Sequence, residues 1–389
     1  MARLAKLAAL IAALALVGCA RTEAVSLQLP ETDEPVIASE TSVEPEAASL
    51  ATTIEPAAEP TLAPTAEPTP TPEPTQAPLD YAAVKPYEVG QIMIIMYHGI
   101  SKGPESNPYE RSQDNFWKDM ETLYDMGFRL ASLKDWAENK ISVEAGYTPV
   151  IFTFDDGLSS TFSLEANGQE LRPVQGTAVE LMDRFSEQHP DFGNTAAFYI
   201  NGDMEAFKGA GTIADRLQYL VGKGHDIGNH TYSHAKLSAL GAEDIQKEIG
   251  LIDKLIKDSV PGYKPLGLSY PFGIRPKEEL LPIGLDGTYQ GEAYSNGFGL
   301  REGQSGPPAT PNRNGFDPLN VPRVRGSSGE ATDLGWFLDY YKTNPEGRYI
   351  SDGNPETIAV PLEYKDNINM ESLGDKKLVV YDESGILAE

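Results

Sequence analysis

Short apolar runs recur along the middle of the chain, and each is rich in β-branched or aromatic residues. Runs of this length and composition are typical of buried strands. They predict strands at residues 91–97, 150–154, 196–200, 225–227, 266–270 and 321–324.

Segments with helical periodicity lie between these runs. Residues 244–257 are the clearest case, because isoleucines recur there at alternating spacings of four and three and form a stripe on one face. Similar patterns predict helices at residues 113–126, 178–185, 214–221, 244–257 and 334–341. Strands that alternate with helices imply parallel pairing, so the sequence predicts an α/β fold with a parallel sheet or barrel.

The pattern weakens in the C-terminal third. Residues 287–318 are dense in Gly, Asn and Pro, which predicts a long surface insertion. Two further strands are expected at residues 357–360 and 378–381. The sequence leaves open whether they complete the main domain or form a small β appendage.

The N-terminus has the layout of an export signal over residues 1–19. Arg3 and Lys6 precede an apolar stretch at residues 7–17, which is short for a membrane-spanning helix. The stretch ends in Leu16-Val17-Gly18-Cys19, which resembles the bacterial lipobox, and Cys19 is the single cysteine of the chain. We therefore expect a lipoprotein held on the outer side of a bacterial cell membrane through acyl chains on Cys19. The alternative is a plain secretory signal.

Residues 20–86 are rich in Pro, Thr, Glu and Ala and nearly free of aromatic residues. Such a segment cannot bury enough apolar surface to offset its ordering entropy, so it predicts an extended linker without fixed structure. We assign residues 87–345 to a catalytic domain and residues 346–389 to a C-terminal extension.

Charge and cysteine content exclude several classes of function. The formal net charge of −27 argues against a nucleic-acid partner, because phosphates would be repelled. A single cysteine excludes an intramolecular disulfide and a zinc–thiolate cluster. Any bound metal must therefore be held by His, Asp or Glu.

Two clusters of polar residues follow predicted strands. Asp155 and Asp156 come directly after residues 150–154, and the carboxyl ends of strands are where α/β folds place their chemistry. His230 and His234 are four residues apart, a spacing that on a helical turn puts both imidazoles on one face. If the two strands are neighbours, both clusters converge on one ion. The alternative for the carboxylates is a simple turn.

These two motifs together resemble a known family. Thr153-Phe154-Asp155-Asp156-Gly157 and His230-Thr231-Tyr232-Ser233-His234 resemble the leading motifs of the polysaccharide deacetylases, carbohydrate esterase family 4. The resemblance extends over roughly residues 91–324. It implies a distorted (β/α) barrel and the removal of N- or O-acetyl groups from cell-surface glycans.

The resemblance also implies roles for individual residues. Asp156, His230 and His234 match the metal ligands, and Asp155 matches the catalytic base. Two imidazoles and one carboxylate with an open position form a typical hydrolytic site, most simply for Zn²⁺. The ion would activate water and polarise the acetyl carbonyl, while Asp155 accepts the proton.

One departure from the family concerns the general acid. No histidine follows His234, so the family's C-terminal Leu-x-His motif is missing. His98 replaces it in our interpretation, because Tyr97-His98 resembles the opening of a permuted subgroup that includes poly-N-acetylglucosamine deacetylases. In a closed barrel the first and last strands are neighbours, so a histidine from either reaches the same place. The alternative is a half-buried structural histidine.

A second departure concerns the Arg-x-Pro-Tyr/Phe motif, which reads Ser269-Tyr270-Pro271-Phe272 here. The missing arginine would orient the base, and Arg323 or, as a second choice, Arg275 is expected to supply the charge. The alternative for both is a solvated surface position. Tyr270, Pro271 and Phe272 are assigned to substrate binding, with core packing the main alternative for Phe272.

The sequence is therefore interpreted as a monomeric, membrane-tethered deacetylase. The expected substrate is an N-acetylated hexosamine polymer, such as peptidoglycan or a chitin- or poly-N-acetylglucosamine-like chain, and an acetylated xylan stays open. One alternative is a glycan-binding lipoprotein that kept the fold without catalysis, and another is a solute-binding lipoprotein. A glycosidase fits less well, because adjacent Asp residues at a strand end point in different directions.

Overall fold

The computed structural model describes residues 78–302, 307–308 and 310–388. The predicted export signal, Cys19 and most of the predicted linker lie outside these residues. Eight parallel strands form the main sheet. Their bounds are β1 Met93–Tyr97, β2 Phe128–Leu130, β3 Thr148–Phe154, β4 Ala197–Ile200, β5 Asp226–Asn229, β6 Leu268–Ser269, β7 Gly299–Glu302 and β8 Val321–Arg325.

Seven of these strands close into a barrel. The ring runs β1, β8, β7, β6, β5, β4, β3 and returns to β1, because β1 is hydrogen-bonded to both β8 and β3. β2 lies outside the ring and pairs with the first half of β3. The predicted (β/α) barrel is confirmed, with its first and last strands side by side.

Helices cover the outside of the barrel and several begin with a side-chain cap. The hydroxyl groups of Ser112, Thr177 and Thr212 each accept a hydrogen bond from a backbone N–H in the first turn, which stabilises the helix start. All five predicted helices are confirmed to within a few residues. The helices are α1 Tyr81–Val84, α2 Gln113–Asp125, α3 Leu133–Ala137, α4 Ala178–Gln188, α5 Ile213–Gly222, α6 Ala242–Ser259, α7 Leu281–Leu285 and α8 Leu334–Thr343.

The two faces of the barrel strands bury different partners. Alternate residues of a strand point to opposite faces, so one set fills the barrel and the other packs against helices. The inner set includes Ile94, Ile151, Tyr199, Leu300 and Val321. Burial of each such side chain contributes about 1.5–3 kcal/mol. The same inward alternation continues to the polar residues at the carboxyl ends of the strands.

Two strands of the sheet were not expected from the sequence. β2 has only three residues, and β7 lies inside the stretch at residues 287–318 that predicted a surface insertion. That prediction is wrong for β7, which is held by hydrogen bonds to β6 and β8 and buries Leu300 completely. The same stretch begins within a two-stranded ribbon of Asp286–Tyr289 and Glu292–Ser295.

The C-terminal residues add a small parallel pair, Thr357–Pro361 with Lys377–Tyr381. This pair shares an apolar cluster with Tyr87 and Val89, which precede β1. Helix α1 falls within the predicted linker, and the Tyr381 hydroxyl donates to the carbonyl of Pro86 nearby (2.9 Å). No helix within the described residues is both long enough and apolar enough to cross a membrane.

A buried carboxylate lies at the junction between β1 and the C-terminal pair. Glu88 is 2% exposed and accepts hydrogen bonds from the Tyr349 hydroxyl (2.9 Å) and from the backbone N–H groups of Asp352 (3.2 Å) and Ala359 (2.8 Å). Burial, together with the nearby Asp352 carboxylate, raises the pKa of Glu88 to about 8. Glu88 therefore joins the segment before β1 to residues 349–352 and to the strand Thr357–Pro361, and all three of its hydrogen-bond donors are uncharged.

Candidate active site

A cavity of about 670 Å³ opens at the carboxyl end of the barrel. The carboxyl ends of parallel strands meet at one end of such a barrel, so side chains that are distant in sequence converge there. The cavity lining includes eight residues that the sequence singled out. They are His98, Asp155, Asp156, His230, His234, Tyr270, Phe272 and Arg323.

Three of these residues could hold one metal ion. Ligand atoms of Asp156, His230 and His234 all lie within 4.8 Å of one another. The Asp156 Oδ1 atom is 3.3 Å from His230 Nε2 and 3.6 Å from His234 Nε2. The proximity expected from the two motifs is therefore present in the fold.

The local geometry of this triad differs from the expectation in two ways. His230 and His234 do not lie on a helical turn, because Thr231 (φ +63°) and His234 (φ +51°) adopt left-handed backbone conformations within an irregular loop. The strands that carry the motifs are not neighbours either, since β4 lies between β3 and β5. The backbone turns at Asp156 (φ +72°) and in the histidine loop bring the side chains together across β4.

Two asparagines hold the histidine loop in place through hydrogen bonds. The sequence did not identify them as site residues. Asn201, directly after β4, donates from its amide to the carbonyls of His230 (2.6 Å) and Thr231 (3.0 Å). Asn229, the last residue of β5, accepts from the Thr231 N–H (2.9 Å). Both are buried. Their position at strand ends is the one signal in the sequence that could have identified them.

The state of His230 fits metal coordination. Its Nδ1 atom is 2.8 Å from the Ser269 carbonyl oxygen. A carbonyl can only accept, so Nδ1 carries a proton, and in the neutral ring Nε2 then presents a lone pair. This Nε2 atom is buried and has no hydrogen-bond partner among the described residues. A buried lone pair directed at a carboxylate and a second imidazole matches the donor set of a divalent cation, with Ser269 as the outer hydrogen-bond partner.

Asp155 is held by a guanidinium inside the barrel mouth. Arg323 donates from Nη1 to Oδ1 (2.8 Å) and from Nη2 to Oδ2 (2.6 Å), and the Ser269 hydroxyl donates to Oδ2 (3.1 Å). Asp155 is 2% and Arg323 1% exposed. Burial opposes the charge on Asp155, but Arg323 and His230 outweigh it and hold the pKa of the carboxyl well below its usual range. Arg323 occupies the place that the sequence expected of it, whereas Arg275 forms no ion pair within the described residues.

His98 follows β1 on the opposite side of Asp155 from β4. The register pairs Tyr97 with Phe154, so His98 comes one residue beyond that pair, as Asp155 does. The His98 side chain is half-buried and its Nδ1 atom has no hydrogen-bond partner in the described part of the chain. Burial lowers the pKa of His98 from its ordinary value, although the Asp155 and Asp156 carboxylates act in the opposite direction.

The three residues assigned to substrate binding lie in three different environments. Tyr270 is 1% exposed and donates to the Leu319 carbonyl (3.1 Å), so it belongs mainly to the core although it touches the cavity. Pro271 is buried and is not part of the cavity lining, which contradicts its assignment. Phe272 is 57% exposed, and its ring centroid lies 4.5 Å from that of His234. Core packing is therefore wrong for Phe272, because a left-handed backbone (φ +59°) presents its ring at the cavity.

Comparisons with known proteins agree with the motifs. Residues 143–281 match the family described as "Polysaccharide deacetylase". A chitin deacetylase of Arthroderma benhamiae is 28% identical over 123 residues, which are 32% of this chain and 27% of the relative. A chitooligosaccharide deacetylase of Sinorhizobium fredii is 25% identical over 129 residues, 33% of this chain and 49% of the relative. The matches thus span less than half of each relative, and the predicted resemblance to this family is confirmed.

Two solved structures are among those to which this chain is similar. A Streptococcus pyogenes deacetylase, PplD in complex with acetate, has a TM-score of 0.47 and 14% identity, covering 64% of this chain and 97% of that one. IcaB from Ammonifex degensii has a TM-score of 0.45 and 18% identity, covering 65% and 98%.

Proposed function

We propose that this chain is a metal-dependent hydrolase that removes acetyl groups from a glycan. One observation carries the proposal: a candidate metal triad, a carboxylate fixed by an arginine and a histidine line a single open cavity. A binding protein has no need for a buried, ionised Asp155 beside two imidazoles.

Asp156, His230 and His234 would hold the ion, and we propose Zn²⁺. A bound divalent ion polarises the acetyl carbonyl and makes water more acidic. The chain's own contribution is to fix the ligands, since the Ser269 carbonyl sets the tautomer of His230 and Asn201 holds the loop.

Asp155 would accept the proton of the attacking water. Its low pKa keeps it ionised, and its two hydrogen bonds to Arg323 keep it oriented beside the triad. A carboxylate with a low pKa also retains a proton poorly, so it passes the proton on readily. Arg323 and Ser269 are positioning residues in this scheme.

His98 would donate the proton to the leaving nitrogen. Because burial lowers its pKa, the protonated form is a comparatively strong acid that transfers its proton easily. Addition of water to the carbonyl and breakage of the C–N bond then give a free amine and acetic acid, which releases its proton to solvent and becomes acetate. The proton taken by Asp155 replaces the one that His98 loses.

The proposed substrate is an N-acetylated hexosamine polymer of the cell envelope or of an extracellular matrix. The names of the two matched relatives, a chitin and a chitooligosaccharide deacetylase, support this class. An exposed aromatic ring at the cavity edge, Phe272, offers a surface for a sugar ring. O-acetylated xylan is a second substrate to be tested.

The decisive experiment measures acetate release from N-acetylated chitooligosaccharides and from acetylated xylan, with and without added Zn²⁺. The parent should release acetate, and Asp155→Asn should reduce kcat by about 10²–10⁴-fold because it removes the proton acceptor. His230→Ala should lose bound metal, measured by elemental analysis. A parent that binds metal and releases no acetate from any substrate would instead favour a glycan-binding lipoprotein.

We further propose a monomer anchored at Cys19. Cys19→Ala should move the protein from the membrane fraction to the soluble fraction and abolish labelling with a radioactive fatty acid. Retention in the membrane with no label in the parent would contradict the anchor, and light scattering of the domain would reveal any dimer.

A further inference from the structure

We infer that Tyr109 positions His98, and that Glu302 holds Tyr109 in place across the cavity mouth. The inference rests on the proposed function, because it concerns the orientation of the proposed proton donor. Tyr109 lies in the loop between the paired segments Gly99–Ser101 and Glu110–Ser112, and it lines the same cavity as His98.

His98 needs an orienting contact that its own hydrogen bonds do not provide. A histidine that moves protons is commonly oriented by a hydrogen bond at its second ring nitrogen. The Nδ1 atom of His98 is buried and has no such partner within the described residues. The direction of the imidazole therefore depends on the groups packed around it.

The ring of Tyr109 is one of these groups. The two ring centroids are 5.0 Å apart and the planes meet at 69°, an edge-to-face contact. The Tyr109 backbone is tied to the same strand end, because its carbonyl accepts from the N–H of Gly99, the residue after His98 (3.2 Å). A side-chain contact and a backbone contact thus join Tyr109 to the His98 segment.

The far end of Tyr109 is fixed by another part of the barrel. Its hydroxyl donates to Oε1 of Glu302 (2.6 Å), the last residue of β7. Arg325 at the end of β8 lies 3.7 Å from the same oxygen and is itself hydrogen-bonded to Asp333 (3.0 Å). The tyrosine ring is therefore held at both ends, between the loop after β1 and the ends of β7 and β8.

The exposure of Tyr109 separates a positioning role from a purely structural one. Tyr109 is 40% exposed and lies at the rim, so its removal leaves the core intact. A different role, stacking on a sugar ring, would act on substrate affinity. A positioning role instead acts on the step in which His98 transfers its proton, and a misplaced catalytic group of this kind lowers kcat.

The kinetic experiment compares Tyr109→Leu, Tyr109→Phe and Glu302→Ala with Tyr340→Leu, which alters an equally exposed tyrosine (39%) outside the cavity lining. Tyr109→Leu should lower kcat by about 10–100-fold with KM nearly unchanged, because the group that donates the proton is misplaced. Tyr109→Phe keeps the edge contact and loses the hydrogen bond to Glu302, so its kcat should lie between those of Tyr109→Leu and the parent. Glu302→Ala breaks the same hydrogen bond and should resemble Tyr109→Phe, and the control should match the parent.

A second readout does not depend on activity. In protein labelled at its five histidines, the His98 Cε1–H resonance is assigned by its loss in His98→Gln. Tyr109→Leu should shift and broaden this resonance, because the ring current and the contact disappear, while Tyr340→Leu should leave it in place. An unchanged resonance together with a raised KM and a normal kcat would overturn the inference and make Tyr109 a substrate contact.

The two proposals fail in different ways. If His98→Gln retains full activity, the proposed role of His98 is wrong, whatever the resonance shows. If His98→Gln loses activity and Tyr109→Leu changes neither kcat nor the resonance, the positioning inference alone is wrong.

Discussion

Two carboxyl groups of this domain are equally buried, but their pKa values are shifted in opposite directions. Asp155 at the cavity and Glu88 at the C-terminal junction are each 2% exposed. Arg323 makes two hydrogen bonds to Asp155, whereas Glu88 receives its hydrogen bonds from a tyrosine hydroxyl and two backbone N–H groups. The pKa of Asp155 is held well below its usual range, and that of Glu88 is raised to about 8.

The contrast shows that burial alone does not decide whether a carboxyl is charged. Burial penalises the ionised form at both positions, and at Asp155 the charges of Arg323 and His230 outweigh that penalty. Whether a buried carboxyl stays charged therefore depends on the cationic groups around it. A junction that only needs to join segments can use a carboxyl that keeps its proton.

The largest expected effect comes from removing the cation beside Asp155. Arg323→Leu should destabilise the domain by about 3–5 kcal/mol, because it leaves a buried carboxylate without its partner. Urea unfolding of the metal-free protein measures the loss. The double variant Arg323→Leu with Asp155→Leu should lose clearly less, since neither charge remains. Equal losses in the single and double variants would show that packing, and not the unpaired charge, is responsible.

The second effect is a pH dependence that originates at Glu88. Its pKa is raised from 4.5 to about 8, so between these values the folded state binds a proton that the unfolded state has released. Stability from this group is complete below the unfolded pKa and is lost as pH rises through about 8. From pH 6 to pH 8 the free energy of unfolding of the parent should fall by about 2 kcal/mol more than that of Glu88→Gln, because glutamine does not titrate.

Thermal or urea unfolding at several pH values measures this difference. If the parent and Glu88→Gln change in parallel from pH 6 to pH 8, Glu88 is ionised throughout and the contrast with Asp155 disappears.

The smallest effect concerns the hydroxyl that Asp155 and Arg323 share. Ser269 donates to Asp155 Oδ2 and accepts from Arg323 Nη2 (2.9 Å). Ser269→Ala should cost about 1 kcal/mol of stability, the typical value for one hydrogen bond. It should also lower kcat modestly, because the carboxylate is less restrained. Ser186→Ala is a control, since that hydroxyl donates to the backbone carbonyl of Asp183 within helix α4 and lies outside the cavity lining. A loss in Ser269→Ala no greater than in the control would mean that the hydroxyl adds nothing.

The sequence predicted the parts of this molecule that depend on local pattern. Apolar runs located most barrel strands, and the isoleucine stripe located α6, because burial of one face imposes a period on the residues. β7 was missed because its four residues carry little pattern of their own, and its stability comes from two neighbouring strands. The spacing of His230 and His234 also suggested a helical turn, which is wrong. Their loop contains residues in left-handed conformations, and such conformations leave no periodic pattern in the sequence.

The site was predictable to the extent that its residues follow strands or stand in motifs. Arg323 could be named because Ser269 occupies the position where an arginine was expected, but the bidentate contact depends on how the barrel closes. Asn201 and Glu88 were missed, since an isolated polar residue gives no sign of partners that are distant in the chain. Tyr109 was missed for the same reason, as Glu302 is 193 positions away.

A closed ring of strands has no structural beginning. β1 enters between the strand that precedes Asp155 and the strand that carries Arg323, and it bonds to both. The neighbours of His98 depend on where β1 lies in the circular order of strands, and not on where β1 comes along the chain. A gene rearranged so that this strand was translated last, next to β8, would still code for the same neighbours around the cavity.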